Sequence, residues 1–324
     1  MGTWVNQSFN LSAKPSECGN LSYVSAKPGE DKIIVGLAQY GLLAKAHADE
    51  EWVQLGQGEG SASIINRCNA IVYDPADSQV FWEAGIYNAG GVYRTDDGGE
   101  TFVDLGLTHN DVISVDLTDP ERQLLLVSGH EMSHRLNRSL DGGMTWEDIG
   151  DKLPDEPGVC PNPLILDSDN YLIGCVSAGG GKKGIWRTED AGKSWEQVSD
   201  VAGATVPLVA TDGSIYWVGE NNEGIVRSDD EGRTWTKPFG AGVLSQVNAL
   251  ELPDGRIAAV AQKQIAVSSD QGEHWKLVTV ETPFIPTGLT YSAEGKAFYV
   301  AHWTCDNKVP KDAVMSYDFD YESE

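Results

Sequence analysis

A formal charge of −26 over 324 residues, with only 23 Lys and Arg, argues against nucleic acid or an anionic membrane surface as partner. Hydrophobic residues make up 40 % of the chain, with ten Trp, which is ample for a core, yet no apolar run is long enough to span a membrane as a helix. The five Cys form no CxxC or His/Cys ligand spacing, so no structural zinc is expected; no metal or cofactor is assigned.

In chain order, Thr3-Trp4-Val5 leads off as a strand with no secretion leader visible before it. Short Pro, Asp and Gly turns then join pairs of apolar runs at 27–30, 74–77, 118–121, 167–170, 211–214, 253–256 and 293–296. Their separation of roughly 40–50 residues is the period of a four-stranded propeller blade. Between them a second pattern recurs, Ser/Thr-x-Asp-x-Gly-x-(Thr/Ser/His)-aromatic. Its five copies run from Thr95 to Phe102, Ser139 to Trp146, Thr188 to Trp195, Ser228 to Trp235 and Ser268 to Trp275. Gly permits the left-handed turn, and the carboxylates of Asp97, Asp141, Asp190, Asp230 and Asp270 are placed to accept bonds from their own turns. A worn sixth copy spans 41–56, with His47 at the Asp position and Trp52 at the aromatic one. The seventh is split: residues 313–318 read as a third strand, and Thr3-Trp4-Val5 as the outer strand that completes it. The expectation is an all-β chain, with residues 1–324 as one seven-bladed β-propeller domain closed by its N-terminal strand.

The repeated pattern resembles the Asp-box, or BNR repeat, of sialidase-like β-propellers, and the resemblance covers nearly the whole chain. In sialidases these boxes lie on the face away from the active site, so the five Asp are expected to be structural. The sialidase Arg-Ile-Pro motif is missing, since Phe284-Ile285-Pro286 lacks the arginine, and no arginine precedes Arg67. Sialidase activity is therefore not expected. Xyloglucan hydrolases of similar look use two propellers and a carboxylate pair across a cleft. Propeller lyases use Tyr or His for proton transfer, with Arg or His neutralising a uronate.

Each blade reads as strands a to d from the axis outwards. The a–b turns and the boxes then share one face, while the d–a and b–c connections share the other, where variable loops are expected to carry function. The Gly179-Gly180-Gly181 run beside Lys182-Lys183 lacks the Walker pattern and reads as a hairpin tip. His109, His130, His134 and His302 all fall on the variable face, with His130 and His302 at equivalent ends of b strands. Glu220 occupies the same position in its own blade. Together with Arg67 and Arg135 the histidines of adjacent blades form an expected basic island for a carboxylate. Tyr40, Tyr87, Glu131 and Trp303 lie beside them, the aromatics suited to sugar faces.

Three function classes fit these residues. The preferred one is a carbohydrate-active enzyme, a lyase or hydrolase on an acidic polysaccharide. His130 or His302 would be the base, Tyr40 or Tyr87 the proton donor, and Arg67 or Arg135 the carboxylate clamp, with His109, His134, Glu131, Glu220 and Trp303 around the substrate. The alternatives are a non-catalytic glycan- or protein-binding propeller, and an enzyme on a small natural product. The expected partner is a poly- or oligosaccharide, uronate-containing ones included, with no nucleic acid, no membrane span and a monomeric protein. An extracellular or periplasmic location is favoured over the cytosol. In that case Cys160–Cys175, or Cys18 with Cys68 or Cys305, is expected to be bridged.

Overall fold

A computed structural model describes residues 2–46, 51–88, 90–237 and 247–323. Seven antiparallel sheets follow one another in the chain, and six of them are four strands deep. Blade 1 comprises Leu21–Ala26, Lys32–Leu37, Gly41–Ala46 and Val53–Gln54. Blade 2 comprises Arg67–Asp74, Asp77–Ile86, Val92–Thr95 and Val103–Asp104. Blade 3 comprises Asn110–Val115, Leu125–Gly129, Leu136–Ser139 and Glu147–Asp148. Blades 4 to 6 repeat this plan over Val159–Ser199, Leu208–Ser228 and Leu250–Leu277. Blade 7 joins Gly288–Ser292, Ala297–Ala301 and Val314–Asp318 to the N-terminal strand Val5–Asn6. Val5 pairs with Ser316 and Asn6 with Met315, which is the expected closure: it covers an edge that would otherwise be open.

Blade 5 departs from expectation. Among the described residues its ladder has three strands, and the run after Trp235 contributes an isolated bridge between Arg227 and Thr236. The proposed worn turn at His47 lies outside the described residues.

Among the described residues there is no central core. The apolar side chains form seven slabs, one between each pair of neighbouring blades. Leu21 and Tyr299 lie in the slab of blades 7 and 1, Ile34 and Phe81 in that of 1 and 2, and Trp82 and Val127 in that of 2 and 3. Tyr171 joins blades 3 and 4, Trp217 blades 4 and 5, Tyr216 blades 5 and 6, and Phe298 blades 6 and 7. Each blade is therefore apolar on both faces, and alternation along its strands gives way to near-continuous burial, as in Leu125–Gly129.

The five Asp-containing turns share one geometry. In blade 3, the Asp141 carboxylate accepts from the Thr145 N–H (2.8 Å), the Thr145 hydroxyl (2.6 Å) and the Ser139 hydroxyl (2.8 Å). In blade 4 the Ser194 hydroxyl and N–H hold Asp190 at a pKa of about 2. The Gly142 N–H of the turn bonds the Gln123 carbonyl at the start of strand b, which places both turn sets on one face.

Two disulfides are present. Cys160–Cys175 joins strands a and b of blade 4, and Cys18–Cys305 ties the lead-in segment of blade 1 to the b–c loop of blade 7. The alternative Cys18–Cys68 pairing is not formed: Cys68 is a free thiol buried between blades 1 and 2.

Candidate functional site at the mouth of blades 2 and 3

Strand a of each blade starts on the variable face. In blades 1 to 3 the register with strand b slips there, at Leu21/Tyr23, Cys68/Ala70 and Asn110/Ile113. Such bulges re-aim a side chain. Here they bring Ser22, Asn69 and Asp111 to an axial pocket of about 280 Å³, where Asn162, Thr205, Asn248 and Thr287 of the other blades join them. The axis is thus ringed by one polar side chain per blade, and an enclosed apolar cavity for a small natural product is not what this pocket offers.

Asp111 connects this ring to the histidines. Its Oδ1 accepts from Asn69 (3.1 Å) and lies 2.7 Å from His130 Nδ1. With Asp111 accepting, His130 carries its proton on Nδ1, and Nε2 is an acceptor 3.1 Å from the Tyr87 hydroxyl. Tyr87 follows the b strand of blade 2 as His130 follows that of blade 3, so neighbouring blades bring the two together. The His109 ring stands edge-on to His130, with centroids 4.9 Å apart, and the Arg67 guanidinium lies over the Tyr87 ring at 4.9 Å. Burial holds Arg67 below its usual value.

Loop backbone locks this arrangement. Tyr87, His109 and Glu131 all have left-handed φ, at 57°, 62° and 56°. Non-glycine residues adopt it at a cost of order 1 kcal/mol or more, and such strain gathers at functional sites. The His109 N–H donates to the Gly90 carbonyl (2.8 Å), and its own carbonyl accepts from the His130 N–H (2.9 Å). The Glu131 carboxylate comes to 3.6 Å from His130 Nε2.

The expected partners of this cluster are dispersed. His302 does not join His130: its ring stacks on Phe284 (4.5 Å, 14° between planes), and burial holds its pKa below the usual histidine value. The two positions are equivalent, and each meets a residue of the d–a connection leading into its own blade, His109 in one case and Phe284 in the other. What that connection supplies decides what the histidine does. Arg135 reaches outward to Asp148 (3.7 Å), and His134 bonds Ser133 and the Pro154 carbonyl. Tyr40 packs beside the slab of blades 7 and 1 under Lys14. Glu220 is buried and accepts from the Ser177 N–H (3.3 Å), while exposed Trp303 donates its backbone N–H to the Thr287 hydroxyl. The basic island is not a surplus of positive charge either, since Asp111, Glu131 and Glu17 interleave with Arg67 and the histidines.

Sequence reasoning missed Asp111, Asn69 and Glu17, whose carboxylate accepts from Asn88 (2.5 Å) and Gln39 (3.3 Å). It also missed Glu83. That side chain is wholly buried beside Cys68, accepts from Asn66 (3.1 Å), and is pushed up to a pKa of about 8 by burial. A single Glu amid the apolar run Val80-Phe81-Trp82-Glu83-Ala84 was the available signal.

No protein-family model matches the chain. It is 25 % identical over 278 residues to a xyloglucanase from Paenibacillus sp., across 70 % of this chain and 26 % of that relative. The chain thus spans about a quarter of the curated relative it matches. Among solved structures it is similar to YCF48 bound to a D1 peptide, with a TM-score of 0.61 at 12 % identity, covering 98 % of this chain and 95 % of that one. The GH74 xyloglucanase of Xanthomonas campestris gives 0.59 at 16 % identity, covering 97 % and 55 %. PorZ, a surface component of the type-IX secretion system of Porphyromonas gingivalis, gives 0.63 at 12 % identity, covering 93 % and 46 %. At these identities the structural likenesses establish the β-propeller fold.

Proposed function

We propose that the chain is a carbohydrate-active propeller that handles a polysaccharide at the mouth of blades 2 and 3, with Tyr87 and His130 as its proton-transfer pair. The observation that carries this reading is the hydrogen-bonded series Asp111–His130–Tyr87, with Arg67 over the phenol ring. The xyloglucanase likeness supports a glycan as the substrate class.

Within that class, elimination suits the side chains better than hydrolysis by paired carboxylates, because Asp111 Oδ1 is already engaged by Asn69 and His130. Tyr87, relayed by His130, would take the proton α to a uronate carboxylate held by Arg67. As the glycosidic C–O bond breaks and the double bond forms, the same pair would return the proton to the leaving oxygen. The two disulfides support an extracellular or periplasmic setting, and the chain is read as acting as a monomer.

The test is a panel of xyloglucan, other neutral glucans and uronate-containing polysaccharides, followed by ultraviolet absorbance for unsaturated ends and by reducing-end assay. Unsaturated product, reduced about 10²-fold or more in Tyr87→Phe and His130→Ala, is the expected result. Reducing ends without unsaturation would replace elimination by hydrolysis. Binding without turnover, lost in the same variants, would make the propeller a lectin.

A further inference from the structure

His109, His130 and Glu131 each offer one ligand atom, and these atoms lie within 4.8 Å of one another. The geometry points to a site for a divalent transition ion of the zinc class, bound by His109, His130 and Glu131 on the variable face. Two imidazoles and a carboxylate are a donor set that zinc accepts with an open position left for water. The proposal concerns ion binding alone and does not rest on the polysaccharide reading.

Three features beyond proximity support it. First, Asp111 holds His130 Nδ1 at 2.7 Å and is itself held by Asn69, so the Nε2 lone pair has a fixed tautomer and direction. A carboxylate behind a ligating histidine is the usual outer support of such sites. Second, the backbones of His109 and His130 are linked directly by an N–H···O bond, which sets the two rings against each other. Third, His109 and Glu131 both have left-handed φ in their turns, and bonds to Gly90 and His130 pin the His109 backbone, which fixes where its side chain leaves the chain. Glu131 is 72 % exposed at its side chain, free to close on the imidazoles to bonds of about 2 Å.

Filling the site takes Nε2 from the Tyr87 hydroxyl. The ion and the Tyr87–His130 pair therefore exclude each other, and added zinc should suppress any turnover that depends on the pair.

The experiment is calorimetric titration of the chelator-stripped full chain with Zn²⁺, repeated with Co²⁺ while recording its visible absorption. One ion per chain is expected, with Co²⁺ bands of a low-coordinate nitrogen–oxygen site. Affinity should fall at least about tenfold in Glu131→Gln and about 10–100-fold in Asp111→Asn, whose residue only supports a ligand. His109→Asn, which tolerates left-handed backbone, should abolish binding while circular dichroism and melting stay as in the parent. Tyr87→Phe should bind at least as tightly as the parent. Failure of the folded parent to bind either ion stoichiometrically, or undiminished affinity in folded His109→Asn, would overturn the site.

Discussion

At the scale of single residues, the buried groups carry the clearest consequences. Glu83 sits at a pKa of about 8 against an ordinary 4.5, so the folded protein keeps a proton that the unfolded chain has released. Stability from this group is full at low pH and is lost as pH rises from about 4.5 to about 8, levelling off above. The slope in that window is at most about 1.4 kcal/mol per pH unit. Chemical denaturation of Glu83→Gln beside the parent, across that range, should show the parent losing stability relative to the variant. Parallel profiles would mean that Glu83 is ionised in the fold. The same residue-level logic separates His130 from His302: one imidazole is oriented by a carboxylate, the other desolvated against Phe284.

At the scale of the element, the repeated turn is held by more than its Asp. The Ser139 hydroxyl is 1 % exposed at the residue level, donates to Asp141 and accepts from the buried Gly143 N–H at 2.8 Å. Asp141 itself faces solvent, where water can replace lost bonds. Ser139→Ala should therefore lower stability by about 1–3 kcal/mol, the cost of leaving a buried N–H unpaired. The proposed glycan and metal binding on the opposite face should be unchanged. Measuring Ser139→Ala and Asp141→Ala together checks the ranking, and a larger loss in the Asp variant would reverse it. The β-bulges are the other element-scale device, since regular pairing in strand a would turn Asn69 and Asp111 away from the axis.

For the whole molecule, closure is made twice. The N-terminal strand completes blade 7, and its neighbouring segment is pinned by Leu11 in the slab, by Ser8 to Val314 and by the Cys18–Cys305 bridge. The bridge closes a span of 287 residues. Cys305→Ser should cost about 2–5 kcal/mol, read by denaturant unfolding. Its partner segment also contacts the site, since the Cys18 carbonyl accepts from Arg67 (3.4 Å) and Glu17 from Asn88. The proposed glycan binding should therefore weaken in Cys305→Ser while the isolated Cys175→Ser change at blade 4 leaves it intact. Equal effects of the two substitutions would separate closure from the site.

What the sequence determined by itself was the repeating architecture: seven blades, the turn face, and the N-terminal strand as the last blade's outer strand. Those features rest on local patterns, namely Gly and Asp at turns and apolar runs between them, which repeat so often that single failures such as the short outer edge of blade 5 do not hide the period. The variable face, with its histidines, was legible for the same reason, because strand order alone assigns each loop to an end. Which side chains meet there was decided only in three dimensions. Asp111 reaches His130 through a bulge, Tyr87 reaches it from the neighbouring blade, and His302 is diverted by Phe284. Those contacts depend on left-handed loop residues and on the packing of one blade against the next, neither of which leaves a local signature in the chain.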